Sequence, residues 1–347
     1  MGIEFTTVMK TFTCTKCGQT VFFDNTQCVS CGARLGFVPE QQAMVAFAVD
    51  VSGVWHAHGA HGQWRPCAND CNWMVDAHAW QTRCLACQLT TLVPALNQPG
   101  NATRWQRMEA AKRQALHSLL VAGLTIPTEP DALGPALRFE IKAQAHPGEP
   151  VSTGHLHGVI TLDVAEADDA TRESIRERLR EPYRTLVGHL RHELGHFYWD
   201  RLIKHTHELH TFRDLFGDER LPYASSLSAY YAFGPPPDWA STHISAYASA
   251  HPLEDWGVTL GHSHATFHSP TRSARPVQGQ VVVGAAHTNI EELLVQQWLP
   301  LCQMLNLVAR GLGQGDLYPF TLPNSVIQKL SYVHQVVQGA RSISSPH

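Results

Sequence analysis

The sequence predicts an α+β chain in which small cysteine-built modules precede a mainly helical domain. Three observations carry that prediction. Eight of nine cysteines fall before residue 90, a few short alternating strand patterns follow, and most of the remaining periodicity is helical. Strands followed by runs of helices, without regular β–α alternation, read as α+β. At 347 residues the chain suggests about two domains and a core large enough to fold unaided.

The cysteines define the first part. Cys14-x2-Cys17 and Cys28-x2-Cys31 each place two thiols on a tight turn, and each pair is directly followed by glycine, Gly18 and Gly32. Sharp knuckles need such residues, and two knuckles joined by a hairpin complete a tetrahedral site of four cysteines. Thr20 to Phe23 followed by Asp24 and Asn25 supplies the strand and turn between them. Cys67, Cys71, Cys84 and Cys87 repeat the layout with a looser first pair. Both sets are expected to hold structural zinc, because four thiolates leave no position open for water. The ninth, Cys302, lies in an apolar helical stretch and reads as core filling. The expected organisation is a zinc ribbon over 9–40, a second four-cysteine zinc module over 41–97 and the larger domain over 98–347. Residues 1–8, ahead of Met9, read as a cloning leader.

Composition narrows the function classes. Charged residues make up 16%, against about 25% in ordinary domains, and the net charge is −4. Only Lys16, Arg34, Arg65 and Arg83 give fixed positive charge across both cysteine sets, so nucleic acid is an unexpected partner. No run of about 18 apolar residues spans a membrane, and no secretory pattern opens the chain, so the expected compartment is the cytoplasm.

Elements of the larger domain follow in order. A helix is expected from Asn101 or Thr103 to about Ala122, strands over 137–141 and 158–164, and helices over 170–180 and 183–204. Breaks at 234–237 and 269–286 interrupt the helical remainder, which ends in helices over about 289–310 and 324–338.

The stretch 192–196 reads His-Glu-Leu-Gly-His inside a helical pattern. His192 and His196 are one turn apart and share a face, within reach of one metal ion, while Glu193 sits one step round the helix. That arrangement suits metal-assisted hydrolysis with Glu193 as general base. Gly195 leaves room for another segment to approach. A third ligand is needed. Glu208, Asp214, Asp218, Glu219, Asp238, His243, Glu254, Asp255 and the His262/His264/His268 group are all downstream; Glu254, in a proline-started helix, stands out.

With these residues in place, the chain resembles the zinc-binding metallopeptidases of bacteria that carry an N-terminal zinc-ribbon region. The resembling stretches are MKTFTCTKCG, RPCANDCNW, GVITLDVAEADD, EPYRTLVGHLRHELGHFYWDRL, FGDERLPY, ISAYASAHPLEDW and DLYPFTL. The resemblance implies a zincin-like fold of the gluzincin type, with Glu254 as third ligand of a catalytic zinc beside two structural ones. It also implies a substrate-pairing edge strand through Gly158, Val159, Ile160 and Thr161, and a tyrosine supporting the developing oxyanion. Tyr247 is the first candidate there, ahead of Tyr230, Tyr231 and Tyr223. In the family the acid pair is followed by an aromatic residue, alanine and a further glutamate; here those positions read Trp256, Gly257 and Val258. The glutamate missing at Val258 would be either the third ligand itself or a partner to the site, and Asp200, Asp255 and His262 are the candidates to replace it. His155 and His157 are candidate cleft residues; His205, His207 and His210 read as a solvated face. The expected activity is zinc-dependent hydrolysis of a peptide or protein amide bond. The alternative is a zinc-binding scaffold of weak or absent activity that meets a protein partner through its cysteine modules.

Overall fold

The computed structural model describes residues 12–144, 149, 151–179, 184–266 and 290–344. Residues 1–8, His268 and the break expected over 269–286 lie outside the described residues.

The N-terminal part is built from short antiparallel pairings. β1 (Phe12–Thr13) pairs β2 (Thr20–Val21), and β3 (Arg34–Val38), β4 (Ala43–Val49) and β5 (Trp55–His58) form a three-stranded sheet. β6 (Trp64–Pro66) pairs β7 (Met74–Asp76), and the one-turn α1 (Leu85–Gln88) leads into β8 (Thr90–Leu92). The β3–β4 hairpin crosses the boundary expected at 40/41, and Phe37 N–H donates to Asn72 O, so the two cysteine modules are laced together. Short strands with few residues cannot bury much by themselves. Here Phe12, Phe23, Phe37 and Trp73 converge on α2 (Asn101–Ala122), where the His117 ring stacks on Phe23 at 4.4 Å. The modules therefore share one continuous core with the helical domain.

A mixed four-stranded sheet joins the two parts. β9 (Arg138–Lys142), β10 (Gly154–Leu156) and β11 (Val159–Asp163) combine with β8 in the order β10-β11-β9-β8. β11 runs parallel to β9 and antiparallel to β10. The segment expected to be the edge strand, through Gly158, Val159, Ile160 and Thr161, is thus an interior strand, and the edge beside the cleft is β10. The reason is local. His157 and Gly158 both have positive φ, 48° and 84°, and form the two-residue turn that a tight hairpin requires. Gly158 ends a reversal instead of starting an exposed strand, and the histidine before the turn, His155, folds back into a further strand.

Helices cover the sheet. α3 (Asp169–Leu179) precedes the motif helix α4 (Leu186–Leu202), whose first turn is capped by Thr185 Oγ1 accepting from Gly188 N at 3.0 Å. α5 (Glu208–Phe216) and α6 (Tyr223–Phe233) follow, then α7 (Pro252–Thr266), which packs along α4. α8 (Ile290–Leu293) continues through a π-helical turn, Leu294–Trp298, into α9 (Leu299–Gly311), and α10 (Asn324–Ser344) is the last described helix. No described helix is long and apolar enough to cross a membrane.

The α4–α7 contact is close because both sides are glycine. A Cβ on Gly195 would lie 2.8 Å from Gly257 Cα, and one on Gly257 would lie 2.9 Å from His192 Cε1. Trp256 Nε1 then donates to Gly195 O at 2.9 Å. Alanine favours a helix interior by about 1 kcal/mol, whereas overpacking a tight contact costs about 1–3 kcal/mol. Since the obstacle is backbone, the second effect wins. Gly195→Ala is expected to lose up to about 2 kcal/mol in a urea titration, net of those two effects, and to weaken metal retention.

Candidate metal centre

Each cysteine set closes into a cluster. Cys14 Sγ lies 3.8 Å from Cys31 Sγ and Cys17 Sγ 3.7 Å from Cys28 Sγ. In the second set Cys71 Sγ lies 3.5 Å from Cys84 Sγ and 3.8 Å from Cys87 Sγ. Four thiolates at about 2.3 Å around one tetrahedral ion sit about 3.8 Å apart, so both clusters have the dimensions of zinc sites. Gly18 and Gly32 adopt positive φ, 79° and 70°, and donate their N–H to Cys14 O and Cys28 O, as the knuckle reading expects. The looser pair closes through Asp70, at φ 49°, whose N–H donates to Cys67 O. Hydrogen bonds from Cys71, Cys84 and Cys87 hold the Cys67 thiol far below its ordinary range, while contacts from Cys67 and Cys71 push Cys84 up. Cys302 is buried on α9 and belongs to neither set.

A third cluster forms where α4 meets α7. Nε2 of His192 and of His196 lie 3.0 Å apart, and Glu254 reaches both, with Oε2 3.0 Å from His192 Nε2 and Oε1 3.5 Å from His196 Nε2. Donors held at about 2.1 Å by a tetrahedral ion stand roughly 3.4 Å apart, which these separations approach. Glu254 Oε2 has no well-formed hydrogen bond although it is buried, so it is an acceptor awaiting a partner. Two imidazoles and a carboxylate are a donor set that zinc takes in sites that keep an open position. Burial raises the Glu254 carboxyl, but His196 and His192, and the Tyr223 hydroxyl donating to Oε1 at 2.5 Å, outweigh it and hold it well below the usual range. Among the described residues, these three clusters are the groups of His, Cys, Asp or Glu with ligand atoms mutually close enough for one ion.

The cluster opens on a cleft of about 1190 Å³, bordered by β10, α4, α6 and α7. Glu193 lies in its wall, almost fully buried, with Oε2 making no hydrogen bond. Tyr247 packs its ring 6.1 Å from that of His192, while Tyr223 is the tyrosine whose hydroxyl touches a proposed ligand. His155 also lines the cleft, edge-on to Phe197, and burial lowers its pKa to about 4. His157 is spent on the hairpin turn; His207 and His210 are exposed, as a solvated face should be.

The stand-ins for the missing carboxylate fare differently. Asp255 points away from the motif histidines, with Oδ2 accepting from Lys329 Nζ at 2.6 Å and Oδ1 from Thr259. Neighbours on a helix are about 100° apart, so when Glu254 faces α4, Asp255 must face α10. His262, two turns further along α7, packs against Phe320 at 4.2 Å. Asp200 stays on the cleft rim, paired with Lys204 at 2.8 Å. Val258 lies against the apolar cluster of Ile244, Ala248 and Leu294, a place a carboxylate would occupy at a cost.

A carboxylate–histidine pair does exist, outside the residues the sequence singles out. His189 Nδ1 lies 2.8 Å from Glu166 Oε2 and Nε2 lies 3.2 Å from Glu193 Oε1. Arg184 Nη2 donates to the same Glu166 oxygen at 3.1 Å. Burial lowers His189, but Glu166 outweighs it and brings the ring to about 9; burial raises Glu166, but His189 and Arg184 bring it to about 2. The sequence signals are that His189 sits a helical turn before Glu193 and that Glu166 falls within a resembling stretch; nothing there marks Glu166 as the partner of His189.

The profile of a family described as "putative zinc-binding metallo-peptidase" matches residues 101–336, and that of a zinc-ribbon domain matches residues 11–98. Uncharacterised proteins of Mycobacterium tuberculosis, strains H37Rv and CDC 1551, and of Mycobacterium bovis are each 36% identical over 341 residues, covering 95% of this chain and 95% of the relative. No solved structure matches the chain.

Two outcomes are expected. Elemental analysis should find one ion per cluster, with His196→Ala losing one while the fold persists, and Cys67→Ser losing one together with much of the stability. The Glu166–His189 pair should stabilise the fold within a pH window. Glu166, lowered from 4.5 to about 2, contributes fully above about 4.5 and loses its contribution as pH falls through about 2. His189, raised from 6.5 to about 9, contributes fully below 6.5 and loses its contribution as pH rises through about 9. The stability cost of Glu166→Gln in urea titrations should therefore be greatest between about 4.5 and 6.5 and shrink beyond about 9.

Proposed function

The chain belongs to this zinc-binding metallo-peptidase family, and from that premise we propose that it hydrolyses peptide amide bonds in the cleft between β10 and α4, with Glu193 as general base. The observation that carries the reading is the convergence of His192, His196 and Glu254 beside a buried glutamate with one uncommitted oxygen. Those three residues would hold the ion. Zinc so held acts as a Lewis acid toward water and the scissile carbonyl.

The remaining steps belong to the protein. An extended peptide adds to the free side of β10, where main-chain hydrogen bonds hold it across the cleft. Glu193 takes a proton from the attacking water through Oε2 as the oxygen bonds to the carbonyl carbon, then delivers it to the departing amine nitrogen as the C–N bond breaks. Tyr247, Tyr223 and Tyr231, all on the cleft wall, are candidate hydroxyls for the carbonyl oxygen as it gains charge, and Tyr230 does not line the cleft. Tyr247 has the better claim, because Tyr223 spends its proton on the Glu254 carboxylate whereas the partner of Tyr247 is only the neutral hydroxyl of Tyr231. Apolar cover from Trp298 and Phe320 and the size of the cleft suit a polypeptide chain over a small metabolite.

Glu193→Gln keeps the shape and removes the base. It is expected to lower cleavage of a fluorogenic peptide pool by at least about 100-fold, in line with loss of general-base catalysis, while leaving three ions bound in a folded chain. A variant that cleaves as fast as the parent would overturn the role given to Glu193.

A further inference from the structure

Resting on that reading, we propose that His189 is held as an imidazolium by Glu166 and acts as the positioning residue for Glu193, committing Oε1 to a fixed hydrogen bond so that Oε2 alone faces the reaction.

The argument begins with donors and acceptors. Each ring nitrogen of His189 faces a carboxylate oxygen, Nδ1 toward Glu166 at 2.8 Å and Nε2 toward Glu193 at 3.2 Å. An ionised carboxylate only accepts, and a neutral imidazole carries one proton, so a neutral ring would set a lone pair against one of these oxygens. Protonated at both nitrogens, the ring satisfies both. Arg184 Nη2 lies 3.2 and 3.4 Å from the two nitrogens; nearly equidistant from both, it cannot lie along the lone pair of either, and it donates to Glu166 instead.

Charge gives an independent reason. Glu166, Glu193, Arg184 and His189 are each no more than 10% exposed. Among these four groups a neutral His189 would leave two negative charges against one positive; an imidazolium balances them, and uncompensated buried charge is expensive. The raised value of about 9 for His189 agrees. The rest of Glu166 is accounted for, since Oε1 accepts from Thr153 Oγ1 at 3.1 Å, so its orientation does not depend on Glu193. The chain of contacts therefore runs one way, from the turn after β11, through His189, to the base. Because Glu166 follows the sheet while His189 and Glu193 share α4, the base is fixed relative to the sheet that carries the substrate strand as well as to its own helix.

The test uses the full-length, zinc-loaded protein and a fluorogenic peptide pool. His189→Ala should lower kcat about 10- to 100-fold with KM and metal content unchanged, the size usual for loss of an outer hydrogen-bond partner. His189→Gln, which keeps one donor for Glu193, should recover part of the loss. In a Glu193→Gln background, His189→Ala should cost nothing more, because the residue acts through Glu193. Nitrogen-15 histidine spectra provide a readout independent of turnover. At neutral pH one ring protonated at both nitrogens should be present, absent in His189→Ala and converted to a neutral ring in Glu166→Gln. Unchanged kcat in His189→Ala, with Glu193→Gln inactive, would refute the positioning role while sparing the hydrolytic reading. If the parent cleaves no peptide, the hydrolytic reading fails and the spectrum decides: a neutral His189 ring overturns the imidazolium, a doubly protonated one supports it.

Discussion

The candidate metal centre depends on how closely two helices approach. His192 and His196 come from α4 and Glu254 from α7, and the three meet because Gly195 and Gly257 let the backbones touch where any side chain would intervene. Separation by even the width of a methyl group would carry Glu254 out of range of both imidazoles. The Trp256 indole bonded to Gly195 O and the Lys329–Asp255 ion pair reinforce the same contact from its far sides. Ligand identity is thus a matter of three side chains, but ligand geometry is a matter of packing.

Around that contact the protein distributes its polar groups unevenly. Asp255, next in sequence to a proposed ligand, serves the C-terminal helix, while Glu166, far away in sequence, serves the base through His189. Two buried carboxylates and two cations face each other beside the cleft, and the hydrogen bond from His189 favours an ionised Glu193 in a place where burial would otherwise favour its neutral form.

Much of this is legible in the sequence because it is local. Cysteine pairs at turn spacing, glycines after each knuckle, two histidines one helical turn apart and the span of α2 all follow from rules acting over a few residues. Glu254 stands out by its helix start, and the structure brings it to the histidines. The edge strand is misplaced in the sequence reading because Gly158 sits beside a strand pattern, and nothing local distinguishes a turn ahead of an inner strand from the start of an outer one. Glu166 escapes because pairing across more than twenty residues has no period. Asp255 misleads for a different reason, since adjacency in sequence on a helix is separation in direction.

The sheet has a consequence for how the chain is partitioned. The two profile matches meet near residue 100, yet β8, contributed by the cysteine-rich part, is a strand of the same sheet whose other end borders the cleft. The seam visible in sequence therefore runs through hydrogen-bonded backbone, and removing the first part would expose β9 as a raw edge and strip the aromatic cover from α2. What looks like an appended accessory is a structural wall of the helical domain, so truncating either segment comes at a cost to both.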